Sequence, residues 1–475
     1  MSGKGILAYA SHLPVGRLWL DELGAALGTG AGSGTRPVAS FDEDSTTMGV
    51  EAASALLHAH PAEPGSVYFA TSSPVYADKT NATTVHAAVA LPETGFAADV
   101  AGSARSGVAA CRAAASCDGL AVLADIRTGK PGSVDESAGA DGSVALLFGP
   151  ASDSLAEIRQ QHSLSVEILD RWREPGSMAA AQWEERFGFE AYLPLLRRVA
   201  MRVLDAEGIE QADHVVLTSP NREIRKRGVK VVTGTLSTET TVAGHAGAAD
   251  VGLAIADALD RAEPGETILV LQAADGCDAL LLRTTSLLAD RRQPTPLRAR
   301  LGQGNKVSYL TYLSWRGWLE REPPRRPEPE RPAGPPSARG RAWKFSFTGS
   351  VCASCEFVHL PPARVCKRCG SSAPMASRSL AGAGATVATY TVDRLAFSPS
   401  PPLVEAVVDF DGGGRYTLEV ADAQQDALAV GTRVGLSFRR LFTAGGVHNY
   451  FWKARVPADG AASGVEQEHS DGGRQ

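Results

Sequence analysis

Cys352, Cys355, Cys366 and Cys369 form two Cys-x-x-Cys pairs separated by ten residues. Each pair offers two thiolates from one tight turn, and two such turns supply the four soft ligands of a tetrahedral zinc. Gly370 follows the second pair and gives that turn the open backbone conformation it needs. Four protein ligands leave no coordination position for a substrate, so the expected zinc is structural and the chemistry must lie elsewhere. Of the seven cysteines, Cys111, Cys117 and Cys277 remain, read as reduced thiols of a cytoplasmic protein.

A chain of 475 residues is too long for one ordinary core, which predicts two or more domains. The net charge of −6 is modest and mixed in sign, arguing against nucleic acid as a partner. Neither a basic-then-apolar start nor a long uncharged apolar run is present, so neither a signal peptide nor a membrane span is expected. From Arg321 to Arg341 prolines alternate with charges. Proline removes amide donors and fixes φ, so this stretch is expected to be an extended connector rather than helix or sheet. The residues after Pro457 have almost nothing to bury and are expected to be disordered.

Before the connector the pattern is mixed α/β. Val67 to Ala70, Gly119 to Ala124, Val144 to Phe148, His214 to Leu217 and Thr267 to Leu271 read as buried strands. Val50 to His58, Ser106 to Ala115, Glu190 to Leu204 and Ala248 to Ala262 read as helices between them. Beyond the connector, Thr386 to Val392, Leu403 to Phe410, Arg415 to Val420, Thr432 to Phe438 and Asn449 to Lys453 are β-rich and punctuated by Gly, Pro and Asp. They predict a small Greek-key barrel of the OB type.

Several stretches, in order along the chain, carry a family resemblance. Phe41-Asp-Glu-Asp-Ser-Thr-Thr-Met48, Thr71-Ser-Ser-Pro-Val-Tyr-Ala-Asp-Lys-Thr-Asn81, Ala124-Asp-Ile-Arg-Thr-Gly-Lys-Pro-Gly-Ser133, Ala140-Asp-Gly142 and Asp170-Arg-Trp-Arg173 resemble the thiolase superfamily, nearest the hydroxymethylglutaryl-CoA synthase and ketoacyl synthase III branch. Gly-Ala-Gly-Ala-Thr-Val-Ala-Thr-Tyr-Thr-Val392 and Asn449-Tyr-Phe-Trp452 resemble the zinc-ribbon plus OB-fold proteins that accompany thiolase-like enzymes. The resemblance implies a five-layered αβαβα domain over 1–285, built of two pseudo-repeats (about 1–150 and 200–285) around an inserted helical region. It further implies a helical stripe and linker over 286–342, a rubredoxin-like zinc ribbon over 343–375, an OB-fold barrel over 376–457 and a tail over 458–475. A homodimer is expected, since such folds extend their sheet across a two-fold axis.

The implied chemistry is transfer of an acyl group from coenzyme A or a phosphopantetheine carrier protein to a cysteine, followed by condensation with a carbon nucleophile. The chain departs from that pattern at the reacting positions. Asp99-Val-Ala-Gly-Ser-Ala-Arg-Ser-Gly107 puts Ala104 where the family has its cysteine, Ser72 stands at the family glutamate, and Thr218 at the family histidine. What survives is Ala243-Gly-His-Ala-Gly247, the Gly-His turn of classical thiolases, placing His245 to polarise a thioester carbonyl or move a proton. The bland alternative is a helix-start histidine bonded only to local backbone. Ser103 and Ser106 flank Ala104 and are substitutes for the thiol if a base activates them, or else simple capping residues. Cys111 reads as an inert buried thiol.

The run Asn221-Arg-Glu-Ile-Arg-Lys-Arg-Gly-Val-Lys230 lies where the synthases contact coenzyme A, and Arg222, Arg225 and Lys226 would suit its phosphates. Read without the resemblance, it is a solvated helix face. Tyr309, Tyr312, Trp315, Trp318 and Leu319 repeat at helical spacing, as a packing face expected to join the zinc module to the thiolase-like body. The expectation is an acyltransferase or condensing-type enzyme working on acyl thioesters without a cysteine acyl-enzyme, by acyl transfer or by aldol-type chemistry. Its rival is a non-catalytic subunit that binds acyl-CoA or partners an intact thiolase-like enzyme.

Overall fold

The computed structural model describes residues 3–30, 32–233, 243–322, 325, 327, 329–423 and 428–457. The expected tail, 458–475, lies outside the described residues. Two compact units emerge: Met1–Ser346 together with Phe438–Tyr450, and Phe347–Ser437 together with the chain from Phe451 onward.

In the first unit five strands, β1 (Lys4–His12), β2 (Ser66–Thr71), β3 (Phe96–Ala101), β4 (Leu120–Asp125) and β5 (Gly142–Pro150), lie in the order β3-β2-β4-β5-β1. Four more, β6 (Ala156–Leu164), β7 (His214–Thr218), β8 (Thr267–Ala273) and β9 (Cys277–Thr284), lie in the order β7-β8-β9-β6. The second set repeats β2-β4-β5-β1, with β7 parallel to β8 as β2 is to β4, and with β9 antiparallel to its neighbours as β5 is. In the sheet the two halves pair where Gly5 meets Glu157 and Ile6 meets Ala156.

Helices complete the layers. α1 (Ser45–Ala59) covers one half; α3 (Glu185–Glu207) and α4 (Arg222–Thr233) belong to the other. Between the halves run α2 (Ser106–Ser116) and α5 (Asp250–Arg261), giving an αβαβα fold of the thiolase type. Small residues let these inner helices touch: a Cβ on Gly107 would sit 2.2 Å from the Ala248 carbonyl oxygen. The starts of two helices, one from each repeat, are thereby brought side by side.

Three expectations need correction. The stretch between the repeats begins as strand β6, and Arg171–Trp172 pairs with Ala181–Gln182 before α3 starts. β6 buries Ala156 and Ile158 while Gln160 to Leu164 stay partly exposed, so it lacks the apolar run that marks a strand. The proline-rich connector is not wholly extended: α7 (Gly334–Arg339) has its prolines in the first turn, where no amide donor is needed. Finally, Tyr309 and Tyr312 on α6 (Tyr309–Trp315) pack with Leu18, Leu23, Val38 and Val307, so the stripe is a packing face of the first unit itself.

In the second unit, strand Thr348–Val351 lies between Val358–His359 and Ala376–Ser379, with the two cysteine turns beside this small sheet. The barrel follows: β10 (Ala385–Asp393), β11 (Leu403–Phe410), β12 (Arg415–Glu419), β13 (Arg433–Ala444) and β14 (Val447–Arg455), in the antiparallel order β12-β11-β10-β13-β14. A bridge between Val420 and Ala454 brings the two edges together, with the Ala421 amide donating to the Ala454 carbonyl at 2.8 Å. The outer part of the β13–β14 hairpin, Phe438–Tyr450, is the portion that belongs to the first unit.

Candidate active site

His245 sits in the turn that leads into α5. Its amide donates to the Ala138 carbonyl at 2.9 Å, and its own carbonyl accepts from the Ala140 amide at 3.0 Å, so neighbouring backbone fixes the turn on both sides. Gly244 (φ 103°) and Gly247 (φ 57°) adopt left-handed conformations, and a Cβ on Gly247 would meet Asp125 Oδ2 at 2.0 Å. The imidazole is buried, and its Nδ1 lies 2.9 Å from Asp250 Oδ2 at the first position of α5. Asp250 Oδ1 accepts the Ala246 amide at 3.2 Å, locking the carboxylate to the same turn. Burial pulls the His245 pKa below the ordinary histidine value; Asp250 opposes this, and Arg127 and Arg225 add to it. A neutral ring donating from Nδ1 to Asp250 presents Nε2 as a proton acceptor.

Asp125, at the end of the wholly buried β4, organises the opposite wall. Its carboxylate accepts from the Ser72 amide (3.1 Å) and hydroxyl (2.6 Å), the Ser73 hydroxyl (2.7 Å) and the Ala248 amide (2.8 Å). These bonds tie the loop after β2 to the start of α5, which is why Ser72 and His245 face one space. That space is a pocket of about 80 Å³ lined by Ser72, Ser103, Ala104, Arg127, Asp170 and His245 among others. A larger cavity of about 480 Å³ shares Arg127, Arg171, Arg173 and Ala180 with it.

The structure thus brings His245, Ser72, Ser103 and Ala104 together. Thr218 is fully buried with its hydroxyl donating to the Leu271 carbonyl at 3.4 Å, and Pro220 rather than Thr218 reaches the pocket wall. Ser106 is buried one turn into the fold and is not on that wall. Neither pocket serine is bonded to His245: Ser72 donates to Asp125, and Ser103 Oγ accepts the Arg105 amide at 3.2 Å. Among the described residues no cysteine lines the pocket; Cys111 faces a separate apolar cavity, and burial pushes its thiol up to about 12.

The basic run of α4 divides. Arg222 and Lys226 are exposed, Lys226 lying 4.0 Å from Glu223. Arg225 is instead half-buried, its Nε has no partner among the described residues, and desolvation lowers its pKa against the opposing pull of Asp250 and Glu185. It therefore belongs to the electrostatic surroundings of the His245–Asp250 pair. Asp250 and Asp125 were not singled out in the sequence, although an aspartate five residues after His245 at a helix start was a readable sign. Asp170 also faces the pocket; burial raises its pKa, while the Tyr192 hydroxyl, donating at 3.1 Å, opposes the rise.

The cysteine turns suit zinc. Their four sulfurs lie within 4.8 Å of one another, with Cys352 to Cys369 at 3.7 Å and Cys355 to Cys366 at 3.6 Å. A tetrahedral Zn–thiolate site calls for about 3.8 Å between sulfurs. The turns match: the Ser354 amide points to Cys352 Sγ and the Arg368 amide to Cys366 Sγ, each at 3.4 Å.

The chain has a thiolase-type fold followed by a zinc ribbon and an OB-fold barrel, and it is similar to hydroxymethylglutaryl-CoA synthases. Residues 345–374 match the rubredoxin-like zinc ribbon domain of ChsH2, and residues 378–439 its C-terminal OB-fold domain. The hydroxymethylglutaryl-CoA synthase of Methanothermobacter thermautotrophicus is 29% identical over 344 residues, covering 66% of this chain and 99% of the relative. That of Archaeoglobus fulgidus is 27% identical over 340 residues, covering 66% and 98%. Among solved structures, MvaS in complex with 3-hydroxy-3-methylglutaryl coenzyme A superposes with a TM-score of 0.58 at 20% identity over 69% of this chain and 95% of that one. FabH, the 3-oxoacyl-(acyl carrier protein) synthase III of Pseudomonas aeruginosa PAO1, gives 0.52 at 20% identity over 60% and 99%. No helix among the described residues is long and apolar enough to cross a membrane.

Proposed function

We propose that this chain is an enzyme of acyl-thioester chemistry that makes or breaks a carbon–carbon bond by proton transfer at His245, without an acyl-cysteine. The observation that carries this reading is the buried His245–Asp250 pair, 2.9 Å apart, facing a pocket in which Ala104 stands at the expected position of the thiol. The hydroxymethylglutaryl-CoA synthase relatives support coenzyme A as the thioester's bearer. A homodimer completes the proposal.

Cleavage of a β-hydroxyacyl thioester illustrates the chemistry. Nε2 of neutral His245 takes the hydroxyl proton, the electrons of the Cα–Cβ bond pass into the thioester as an enolate, and a carbonyl compound departs. The imidazolium, steadied by Asp250, then returns the proton to the α-carbon. Condensation is the reverse. Direct acyl transfer to an external acceptor also fits the pocket, but a serine acyl-enzyme fits less well, because neither Ser72 nor Ser103 is bonded to the base.

Mass spectrometry after incubation with a panel of acyl-CoA and acyl-carrier donors tests this. Turnover without a covalent adduct is the expected result; a persistent acyl-serine would overturn it. The absence of a cysteine from the pocket also favours a second reading, a non-catalytic subunit of an intact thiolase-like enzyme. That reading expects no turnover by the pure chain and activity only when such a partner is added.

A further inference from the structure

We propose that the cavity beside the His245 pocket is a subsite for a carboxylate carried by the acyl chain of the substrate, held by Arg127 and Arg173. The inference rests on the thioester reading above and adds to it the chemical class of the acyl group. Three guanidinium groups, those of Arg127, Arg171 and Arg173, line both the pocket and the cavity. Arg171 is neutralised by a bidentate pair with Asp135, at 2.9 and 2.5 Å. Arg440 and Asp44, also on the cavity wall, approach to 3.9 Å and offset one another.

Among the described residues Arg127 and Arg173 have no such partner. Arg127 donates to the Ser72 hydroxyl at 3.3 Å, and Arg173 donates to the carbonyls of Ser72 and Ser177; neither has a described carboxylate at ion-pair distance. The nearby charge of Asp125 is already spread over the serine hydroxyls and amides that it accepts. Two guanidiniums at one wall, both bonded to Ser72 and neither ion-paired, are suited to charge-assisted hydrogen bonds with a carboxylate. Desolvation and the neighbouring Arg171 lower the Arg127 pKa, as expected of a cation awaiting an anion. Asp170 and Asp275 line the His245 pocket but not the larger cavity, so the anion-accepting side is the one away from them.

Calorimetric titration of the full chain with succinyl-CoA and butyryl-CoA, equal in carbon number but differing in the terminal carboxylate, tests the proposal. The wild type should prefer succinyl-CoA by roughly ten- to hundredfold, the range of a charge-assisted hydrogen-bond pair. Arg127→Gln and Arg173→Gln should each bring the ratio towards one, and Arg127→Lys should restore part of it. The same ratio should hold for succinyl- and butyryl-pantetheine, which lack the nucleotide phosphates. Equal affinities in the wild type, or a ratio unchanged in both glutamine variants, would overturn the subsite. If Arg127→Gln weakens both CoA esters equally and neither pantetheine ester, the arginine binds the carrier's phosphates and the assignment to the acyl chain is wrong. Failure of both thioesters to bind the wild type would sink the thioester reading, whereas binding without preference sinks the subsite alone.

Discussion

Replacing Asp250 with Asn changes one charge and almost no volume at the centre of the proposed mechanism. Asp250 holds His245 Nδ1 at 2.9 Å with both side chains buried, and holds the Ala246 amide at 3.2 Å. The Asn carbonyl can keep the second bond, so the loss falls on the first. A charged hydrogen bond contributes about 1.5–3 kcal/mol and a carboxylate in a first helical turn about 0.3–1 kcal/mol, while an Asn amide donating to Nδ1 recovers about 1 kcal/mol. A net destabilisation of about 2 kcal/mol is expected from urea unfolding. That recovered bond moves the ring proton to Nε2, so turnover should fall by about a hundredfold to ten-thousandfold.

The pH dependence carries an independent sign. Burial lowers the folded His245 pKa below the unfolded value of about 6.5, so the unfolded chain binds the proton first. This contribution to stability is complete above about pH 6.5 and is lost as the pH falls through the folded pKa. Turnover should show an acid limb below about pH 6.5, and Asp250→Asn, which removes the group that raises the pKa, should move the limb further down. Wild-type turnover in Asp250→Asn, or an acid limb that moves upward, would refute the reasoning.

His245→Ala should lower turnover by about a hundredfold or more while leaving zinc content intact, whereas Ala104→Gly should lose far less; steady-state kinetics on the two proteins decide this. Elemental analysis should find one zinc per chain, and its removal by a chelator should unfold the ribbon as followed by circular dichroism. Glu356 (φ 60°) occupies in the first cysteine turn the left-handed position that Gly370 (φ 72°) occupies in the second. Glu356→Gly should therefore stabilise the zinc-loaded ribbon by up to about 1 kcal/mol, read from denaturant midpoints. Light scattering over a wide concentration range should give a dimer mass, and a stable monomer would contradict the proposed assembly.

Buried strands and their helices could be read directly from the chain because each carries its own local signal. The β4 segment is an unbroken apolar run ending in Asp125, and α2 is a string of alanines small enough to be buried. The cysteine turns were legible for the same reason, since all four ligands lie within eighteen residues. The site was harder to read because it is assembled across the repeats. Ala104 and His245 line one pocket where Gly107 lets the two inner helices approach, and Asp125 ties the Ser72 loop to Ala248 beside them. Thr218 was placed by resemblance, but its hydroxyl is taken by the neighbouring strand. Arg127 and Arg173 lie in stretches that carried the resemblance but had no role assigned to them, and among the described residues the lack of an ion-paired carboxylate separates them from Arg171.

The membership of Phe438–Tyr450 in the first unit has a consequence for biosynthesis. Arg439 is fully buried and meets Asp42 at 3.1 Å and Glu43 at 3.2 Å, and the Tyr450 hydroxyl reaches Asp44 at 2.8 Å. These acidic residues leave the ribosome early, and their partners follow only after nearly all of the second unit has been synthesised. At roughly 5–20 residues per second, the interval between Asp42 and Arg439 lasts on the order of 20–80 s. Through that time the nascent first unit lacks the contacts that Arg439 and Tyr450 make with Asp42, Glu43 and Asp44. A messenger truncated after Ser346 would therefore yield a body lacking Phe438–Tyr450 and the buried ion pairs of Arg439.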